Sequence, residues 1–123
     1  MYTPEYMRHF TTPQNTGEME NPDAVEDVHY KGEGCFDRIR IFARRDGDKI
    51  AKINYLLRGC SGTIAACSAM SELASGLTLD QAAAVQGEDV ARALGGVPER
   101  KRHSVDLAAE ALRTVASKLK DAT

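Results

Sequence analysis

The feature that most constrains the fold of this chain is an alternating segment that runs into a tight turn. In residues 37–42, two isoleucines alternate with two arginines, which is the period of a half-buried β-strand. The dipeptide Asp46-Gly47 then favours a hairpin turn, and residues 49–57 are again suited to a strand. The short connection predicts that these two strands pair antiparallel.

Elements on both sides of this hairpin complete the predicted fold. Residues 25–30 predict a further strand, and residues 3–5 carry the capping signals of a short N-terminal helix. The second half has helical spacing in residues 61–75 and 104–120, with shorter helices between them. Strands followed by helices predict an α+β fold, in which helices pack on one face of a three-stranded antiparallel sheet. We expect residues 1–123 to form a single domain.

Charge and composition exclude several classes of protein. The net charge of −2 argues against nucleic-acid binding, which needs a basic excess. No apolar run approaches the ~20 residues of a membrane span, and the charged N-terminus lacks the apolar region of a secretory signal. Three cysteines, an odd number, fit a reducing compartment better than a disulfide framework. We therefore expect a cytoplasmic protein with no nucleic-acid or membrane partner.

Two cysteines in glycine-bracketed turns are the candidate site residues. Cys35 precedes a predicted strand, and Cys60 stands where a strand gives way to a helix, whose free N–H groups favour the thiolate. The hairpin brings both to one end of the sheet, where Asp37 and His103 could join them. Two thiolates, an imidazole and a carboxylate suit zinc, and thiolates also hold iron–sulfur clusters. Two buried structural cysteines explain the same spacing equally well.

Other reactive side chains have simpler explanations. Cys67 is seven residues from Cys60 on the same predicted helix, about 10 Å along its axis, so we expect it to pack in the core. His9 and His29 have no ligand partner nearby in sequence and are predicted to be ordinary surface or helix-face residues. The basic run 100–102 is expected to be a solvated loop, with attraction of an acidic partner as the alternative.

Several motifs occur in an order that is typical of one known family. Residues 34–37, G-C-F-D, are similar to a C-G-D motif, and residues 58–65, R-G-C-S-G-T-I-A, are similar to a G-C-x-x-x-I-A-S segment. Residues 93–98, A-L-G-G-V-P, resemble an A-L-G-G-L-P stretch that leads to a His-Cys pair, and the opening through residues 13–17 also matches. Over nearly its whole length the chain resembles the iron–sulfur cluster assembly scaffold family, the IscU proteins and the N-terminal domain of NifU.

The resemblance implies a fold, a cargo and partners. It implies an α+β fold with an iron–sulfur cluster, a 2Fe–2S cluster in the first instance, or Zn²⁺ held near one end. It also implies sulfur received from a cysteine desulfurase and delivery to recipient apo-proteins. Carried over by position, Cys35, Cys60 and His103 would bind the cluster, with Asp37 as a further metal ligand. We expect a carrier without catalytic turnover that is a monomer or a weak homo-oligomer.

Three departures from the family's pattern bear on function. Ser104 stands where the family has its third cysteine, and a hydroxyl is a much poorer ligand for iron or zinc than a thiolate. Residues 97–101, V-P-E-R-K, differ from the chaperone-recognition stretch L-P-P-V-K, which leaves chaperone docking open. Phe36 replaces a glycine and is expected to crowd or shield the site. The alternatives to a scaffold are a zinc-binding sulfur acceptor that activates a desulfurase, and a degenerate paralogue that only binds and regulates partners.

Overall fold

A three-stranded antiparallel sheet forms one layer of the fold in the part of the chain that the structure describes. The structure, a computed structural model, describes residues 2–32 and 35–122, and within them every side chain except that of Cys35. The strands are β1 (Ala24–Gly32), β2 (Cys35–Asp46) and β3 (Lys49–Arg58), in the order β1-β2-β3. The predicted antiparallel meander is therefore confirmed.

The hairpin between β2 and β3 shows how the sequence pattern selects the two faces of the sheet. Gly47 and Asp48 form its turn, and Gly47 has a φ of +61°, a left-handed conformation that glycine adopts at little cost. Along β2, Ile39 and Ile41 are fully buried, whereas the arginines that alternate with them are exposed. The isoleucine face is therefore the inner face of the sheet.

Helices form the second layer. Within the described residues they are α1 (Pro4–Thr11), α2 (Ser61–Ala74), α3 (Leu79–Ala83), α4 (Gly87–Ala93) and α5 (Arg102–Asp121), with a 3₁₀ turn at Glu99–Lys101. Thr3 caps α1 by accepting a hydrogen bond from the backbone N–H of Tyr6 at 3.0 Å. In the described ranges no helix is both long enough and apolar enough to cross a bilayer.

The core lies between the inner face of the sheet and the helices α2 and α5. Tyr55 on β3, Met70 on α2 and Leu112 on α5 belong to one buried apolar cluster. Burial of an apolar side chain of this size contributes about 1.5–3 kcal/mol to folding. Cys67 is fully buried in the same cluster, so its predicted role in core packing is confirmed. This core holds the first turns of both long helices against one end of the sheet.

His9 departs from the sequence prediction of a surface or helix-face residue. Its side chain is only 2% exposed, and Nδ1 lies 2.7 Å from the hydroxyl oxygen of Ser68 on α2. Burial lowers the pKa of this imidazole. The difference arises because α1 packs on α2, and nothing in the local sequence marks a partner 59 residues away. His29 is exposed, as predicted.

Candidate metal centre

Three elements meet at one end of the sheet and place three predicted site residues side by side. Asp37 lies on the inner face of β2 and is only 2% exposed. Cys60 is the N-cap residue of α2, and His103 lies in the first turn of α5. Cys60 therefore occupies the strand-to-helix boundary that the sequence predicts.

The possible ligand atoms of these residues converge. Nε2 of His103 is 3.2 Å from Oδ2 of Asp37 and 3.9 Å from Sγ of Cys60, and all three atoms lie within 4.8 Å of one another. Metal–ligand bonds of about 2.0–2.3 Å in a tetrahedral arrangement separate neighbouring ligand atoms by about 3.3–3.8 Å. The two separations that involve His103 are close to this range and the third is within 4.8 Å, so movements of the side chains would bring all three atoms to a common metal ion.

Cys35 is the fourth predicted ligand, and its side chain lies outside the described residues. Its backbone begins β2 and pairs with Gly32 of β1. The structure therefore brings together three of the four predicted ligands, and the participation of Cys35 stays a prediction.

The orientation of His103 distinguishes a metal centre from a catalytic triad. A Cys-His-Asp triad uses the two ring nitrogens for different partners, one for the nucleophile and one for the carboxylate. Here the same atom, Nε2, faces both Cys60 and Asp37. One nitrogen shared by both groups suits coordination of a common ion and does not suit a proton relay.

Two buried hydroxyl groups surround these ligands. Thr63 donates a hydrogen bond to Oδ2 of Asp37 at 2.8 Å, and its oxygen is 3.2 Å from the hydroxyl of Ser104. Ser104 is fully buried and lies 3.5 Å from Sγ of Cys60. Buried polar groups need hydrogen-bond partners, so this network holds both ligands in place. Ser104 is therefore part of the site.

The surroundings of Cys60 favour its thiolate form. Partial burial raises the pKa of Cys60, but hydrogen bonds from Ser104 and Thr63, with the backbone N–H groups of Thr63 and Gly62, outweigh it and hold the pKa at about 6. Cys67 has the opposite environment, and burial raises the pKa of its thiol well above the ordinary value. Of these two thiols, only Cys60 is suited to bind metal or to react at neutral pH.

The glycines beside Cys60 permit close packing. A Cβ atom on Gly59 would lie 2.9 Å from Oδ1 of Asp37, and one on Gly62 would lie 2.7 Å from Oγ of Ser104. Carbon atoms do not approach oxygen so closely without displacement. Glycine at both positions therefore lets β2 and α5 approach the start of α2.

Tyr30 is a site residue that sequence reasoning missed. Its ring stacks on the imidazole of His103, with 4.8 Å between the ring centroids and 23° between the planes. This contact limits rotation of the imidazole and keeps Nε2 directed at its two neighbours. Tyr30 is the register partner of Asp37, so only the strand pairing could have indicated it. Thr63 was also missed, although the sequence could have indicated it. It lies one helical turn after Cys60, a spacing that places two side chains side by side.

Phe36 does not shield the site, contrary to the sequence prediction. Successive residues of a strand point to opposite faces of the sheet, so Phe36 faces away from Asp37. Its side chain is 62% exposed, and the ammonium group of Lys31 lies 6.0 Å from the ring centroid. The phenylalanine therefore belongs to the outer surface of the sheet.

The environments of Cys60 and Cys67 predict very different reactivity. Brief alkylation of the metal-free protein should label Cys60 well before Cys67, because the first is a partly exposed thiolate and the second a buried thiol. The labelling rate of Cys60 should rise with pH through about 6 and then level off, because alkylation requires the deprotonated form. Peptide mass mapping across this pH range measures both rates.

Ser104→Ala and Thr114→Ala form a matched pair for this experiment. Loss of the Ser104 hydroxyl should raise the pH midpoint for Cys60. The hydroxyl of Thr114 donates a hydrogen bond to the carbonyl oxygen of Glu110 in its own helix, so its loss should have no effect. Equal labelling of Cys60 and Cys67, or an unchanged midpoint in Ser104→Ala, would contradict the environment described here.

Thr63 should act as a positioning residue for Asp37. Thr63→Val removes the hydrogen-bond donor at nearly constant volume and should weaken Co²⁺ binding about tenfold or more, as loss of outer-sphere partners usually does. Thr63→Ser keeps the hydroxyl and should bind nearly as tightly as the wild type. Titration of the metal-free proteins with Co²⁺, followed by the visible absorption of the bound ion, measures the three affinities. Equal affinities for the two variants would show that this hydrogen bond does not hold the site.

Comparison with known proteins relates this geometry to a family. The family model for the NifU-like N terminal domain matches residues 1–123. The iron-sulfur cluster assembly scaffold protein IscU 1 of Archaeoglobus fulgidus is 36% identical over 113 residues, which cover 92% of this chain and 72% of that protein. The nitrogen fixation protein NifU of Trichormus azollae is 35% identical over 117 residues, which cover 90% of this chain but 39% of that protein.

A solved structure supports the same assignment at the level of the fold. The N-terminal NifU-like protein from Brucella abortus superposes with a TM-score of 0.75, covering 98% of this chain and 95% of that one. Its sequence identity is 17%, so the likeness concerns the fold alone. Together with the match over residues 1–123, these relationships establish that this chain belongs to the NifU-like N-terminal domain family.

Proposed function

We propose that this protein is a scaffold for iron–sulfur cluster assembly. In this role it accepts sulfur from a cysteine desulfurase, holds iron or a cluster, and passes the cargo to recipient apo-proteins. The observation that carries the proposal is the convergence of Asp37, Cys60 and His103 within 4.8 Å in a chain of this family. The relative from Archaeoglobus fulgidus, named as a cluster assembly scaffold, supports it.

The proposed ligand set is Cys35, Asp37, Cys60 and His103. Thiolate and imidazole ligands suit iron and zinc alike, and a carboxylate adds a harder oxygen donor. The cargo we propose is a 2Fe–2S cluster, with Zn²⁺ as the ion that the same ligands would otherwise hold. Cys35, Cys60 and His103 would ligate the cluster, and Asp37 would complete the set for a single ion.

Cys60 is suited to receive sulfur as well as to bind iron. Its thiolate would attack the terminal sulfur of a persulfide on the desulfurase, forming a new S–S bond at Cys60 while the donor's S–S bond breaks. The donor cysteine leaves as a thiolate, and the proton stays with the transferred sulfur. Hydroxyl groups of Thr63 and Ser104 beside Sγ support this role because they stabilise the thiolate before attack.

The proposal also covers the extent of the domain, the absence of enzymatic turnover and the cellular compartment. We propose one scaffold domain over residues 1–123, acting as a carrier without enzymatic turnover in the reducing cytoplasm. The partly exposed Cys60 supports that compartment, since such a thiolate oxidises readily. The relatives named as scaffold proteins favour this function over a desulfurase activator or a regulator without cargo.

Anaerobic reconstitution tests the scaffold function. Metal-free protein given ferric iron and sulfide, a mixture that needs no further oxidant, should acquire the visible absorption of a 2Fe–2S cluster and transfer it to an apo-ferredoxin. Cys60→Ala should lose most of the bound cluster, because one of its proposed ligands is removed. Cys67→Ala makes the same chemical change in the core and should retain the cluster, since this sulfur is fully buried and is not one of the proposed ligands.

The variants must first be shown to be folded by circular dichroism. Equal cluster retention in Cys60→Ala and Cys67→Ala would contradict the proposed ligand. A wild-type protein that retains zinc but forms no cluster would contradict the scaffold function and favour the zinc-binding alternative.

Ser104→Cys tests the meaning of the missing cysteine. The hydroxyl of Ser104 is 3.5 Å from Sγ of Cys60, so a thiolate in its place would lie within reach of the same cargo. Iron binds a thiolate far more strongly than an alcohol, and we expect a cluster half-life several-fold longer than that of the wild type. Decay of the visible absorption after reconstitution measures it. An unchanged half-life would mean that position 104 does not reach the cluster.

A further inference from the structure

The outer face of the sheet carries a basic surface that the proposed function does not use. The surface lies at the same end of the sheet as the metal centre, and all of its side chains are exposed. We call it the cationic face and define it by Lys31, Phe36, Arg38, Arg40, Leu56 and Arg58. Strand register arranges these side chains in three adjacent rows, with Lys31 beside Phe36, Arg38 beside Arg58 and Arg40 beside Leu56.

The basic excess of this face is local. The whole chain carries 18 acidic and 16 basic side chains and has a net charge of −2. Among the described residues, Asp27 supplies a carboxylate here, bound to Arg40 at 3.0 Å, and the exposed Glu18 also interacts electrostatically with Arg40. This leaves Lys31, Arg38 and Arg58 as the basic excess. Charges of one sign grouped on one surface produce a strong local potential, so this face attracts anions although the protein as a whole does not.

Arg38 and Arg58 lie directly opposite each other on neighbouring strands. Like charges in this position destabilise a sheet. In the described part of the chain neither guanidinium makes an ion pair, in contrast to Arg40. An anionic group between Arg38 and Arg58 would relieve this repulsion and accept charge-assisted hydrogen bonds from both.

A shallow depression shows what kind of anion fits. It has a volume of about 260 Å³ and is lined by Arg38, Arg40, Leu56, Leu57 and Arg58. Small-molecule sites usually enclose about 300–1,000 Å³, so the depression is too small to bury most small ligands. Its size and its mixed lining suit a single carboxylate side chain that has an apolar neighbour.

The chain itself covers the other half of the outer face. Asn54 donates a hydrogen bond to the backbone carbonyl of Asn15 at 3.1 Å, and Arg44 donates one to the carbonyl of Glu20. Phe42, although it faces outward, is only 7% exposed. The segment before β1 therefore crosses the far half of this face and leaves the end with the cationic face open.

We propose that the cationic face binds an extended acidic segment of a partner protein. A carboxylate of the partner would lie between Arg38 and Arg58, and an apolar side chain beside it would pack on Leu56 and Phe36. A protein fits better than a nucleic acid, because the acidic excess elsewhere on this chain repels a polyphosphate and the two exposed apolar side chains have no role in binding one.

The position of this face links the partner to the metal centre. Phe36 and Arg38 flank Asp37 on β2, so the two sites lie on opposite faces of the same strand. Arg58 ends β3 two residues before Cys60. A segment bound here would lie beside the ligands without covering them. The proposal does not depend on metal binding.

A synthetic peptide tests the proposal on the full chain. The probe is a twelve-residue peptide in which glutamates alternate with leucine and serine, and the control probe has glutamine in place of glutamate. In ¹H–¹⁵N spectra the glutamate peptide should shift the amide signals of β2 and β3 at the cationic face. The double variant Arg38→Glu/Arg58→Glu should bind it at least about tenfold more weakly, as expected when paired charges are reversed.

A matched charge reversal elsewhere serves as the control. Arg92→Glu/Lys120→Glu makes the same change in net charge on exposed helical positions whose ion pairs contribute little to stability. It should alter the affinity by less than about twofold. Arg38→Gln/Arg58→Gln removes the two charges without reversing them and should give an intermediate loss of affinity. This variant keeps the proposal testable if the charge-reversal variant does not fold.

Several results would overturn the proposal. One is failure of the glutamate peptide to bind at millimolar concentration, or equal binding of the glutamine peptide. Tighter binding of a DNA duplex or of anionic lipid vesicles, with the same dependence on Arg38 and Arg58, would show that the partner is not a protein. Self-association that disappears in the arginine variants would identify a second copy of this chain as the occupant.

Discussion

The buried carboxylate of Asp37 joins the sheet to both long helices, and the arrangement of the site depends on it. Asp37 belongs to β2, accepts a hydrogen bond from Thr63 of α2 and lies 3.2 Å from Nε2 of His103 on α5. A buried carboxylate without partners would be strongly unfavourable, so the first turns of both helices must stay near this strand. The same requirement brings Cys60, one helical turn before Thr63, to the centre of the cluster.

Ser104 lies within the site but contributes a hydroxyl group and not a thiolate. In the family's pattern this position supplies a thiolate, whereas here a hydroxyl lies against Cys60 and within the hydrogen-bonding network of Thr63. A hydroxyl stabilises a neighbouring thiolate but is a weak ligand itself. Ser104 is therefore placed to stabilise the thiolate of Cys60 and is poorly suited to act as a ligand itself.

Strand β2 serves two surfaces at once because its side chains alternate. Asp37 faces the helices and the metal centre, and its neighbours Phe36 and Arg38 face the solvent on the other side. A partner on the outer face would therefore lie across this same strand from the metal centre. The two proposals can be tested separately, since Arg38→Glu changes a side chain of the outer face and Thr63→Val changes one at the metal centre.

Local sequence patterns were sufficient to predict the hairpin and the family. Alternation in residues 37–42 and the turn signal Asp46-Gly47 predicted the hairpin, whose turn the structure places at Gly47 and Asp48. Side-chain period and turn geometry are properties of a few adjacent residues, so local sequence suffices to predict them. The motif order also indicated the family and selected Asp37, Cys60 and His103, which the fold then brought together. These inferences needed no knowledge of which helix packs where.

Contacts between side chains that are distant in sequence could be identified only from the three-dimensional structure. The stacking of Tyr30 on His103 depends on strand register, and the burial of His9 against Ser68 depends on the packing of α1 on α2. Phe36 turned outward because its neighbour Asp37 is held inside, so a prediction based on proximity in sequence was wrong for it. Contacts of this kind cannot be read from the sequence pattern. They form because the core fixes the helices against the sheet, and the residues adjacent in sequence do not determine that packing.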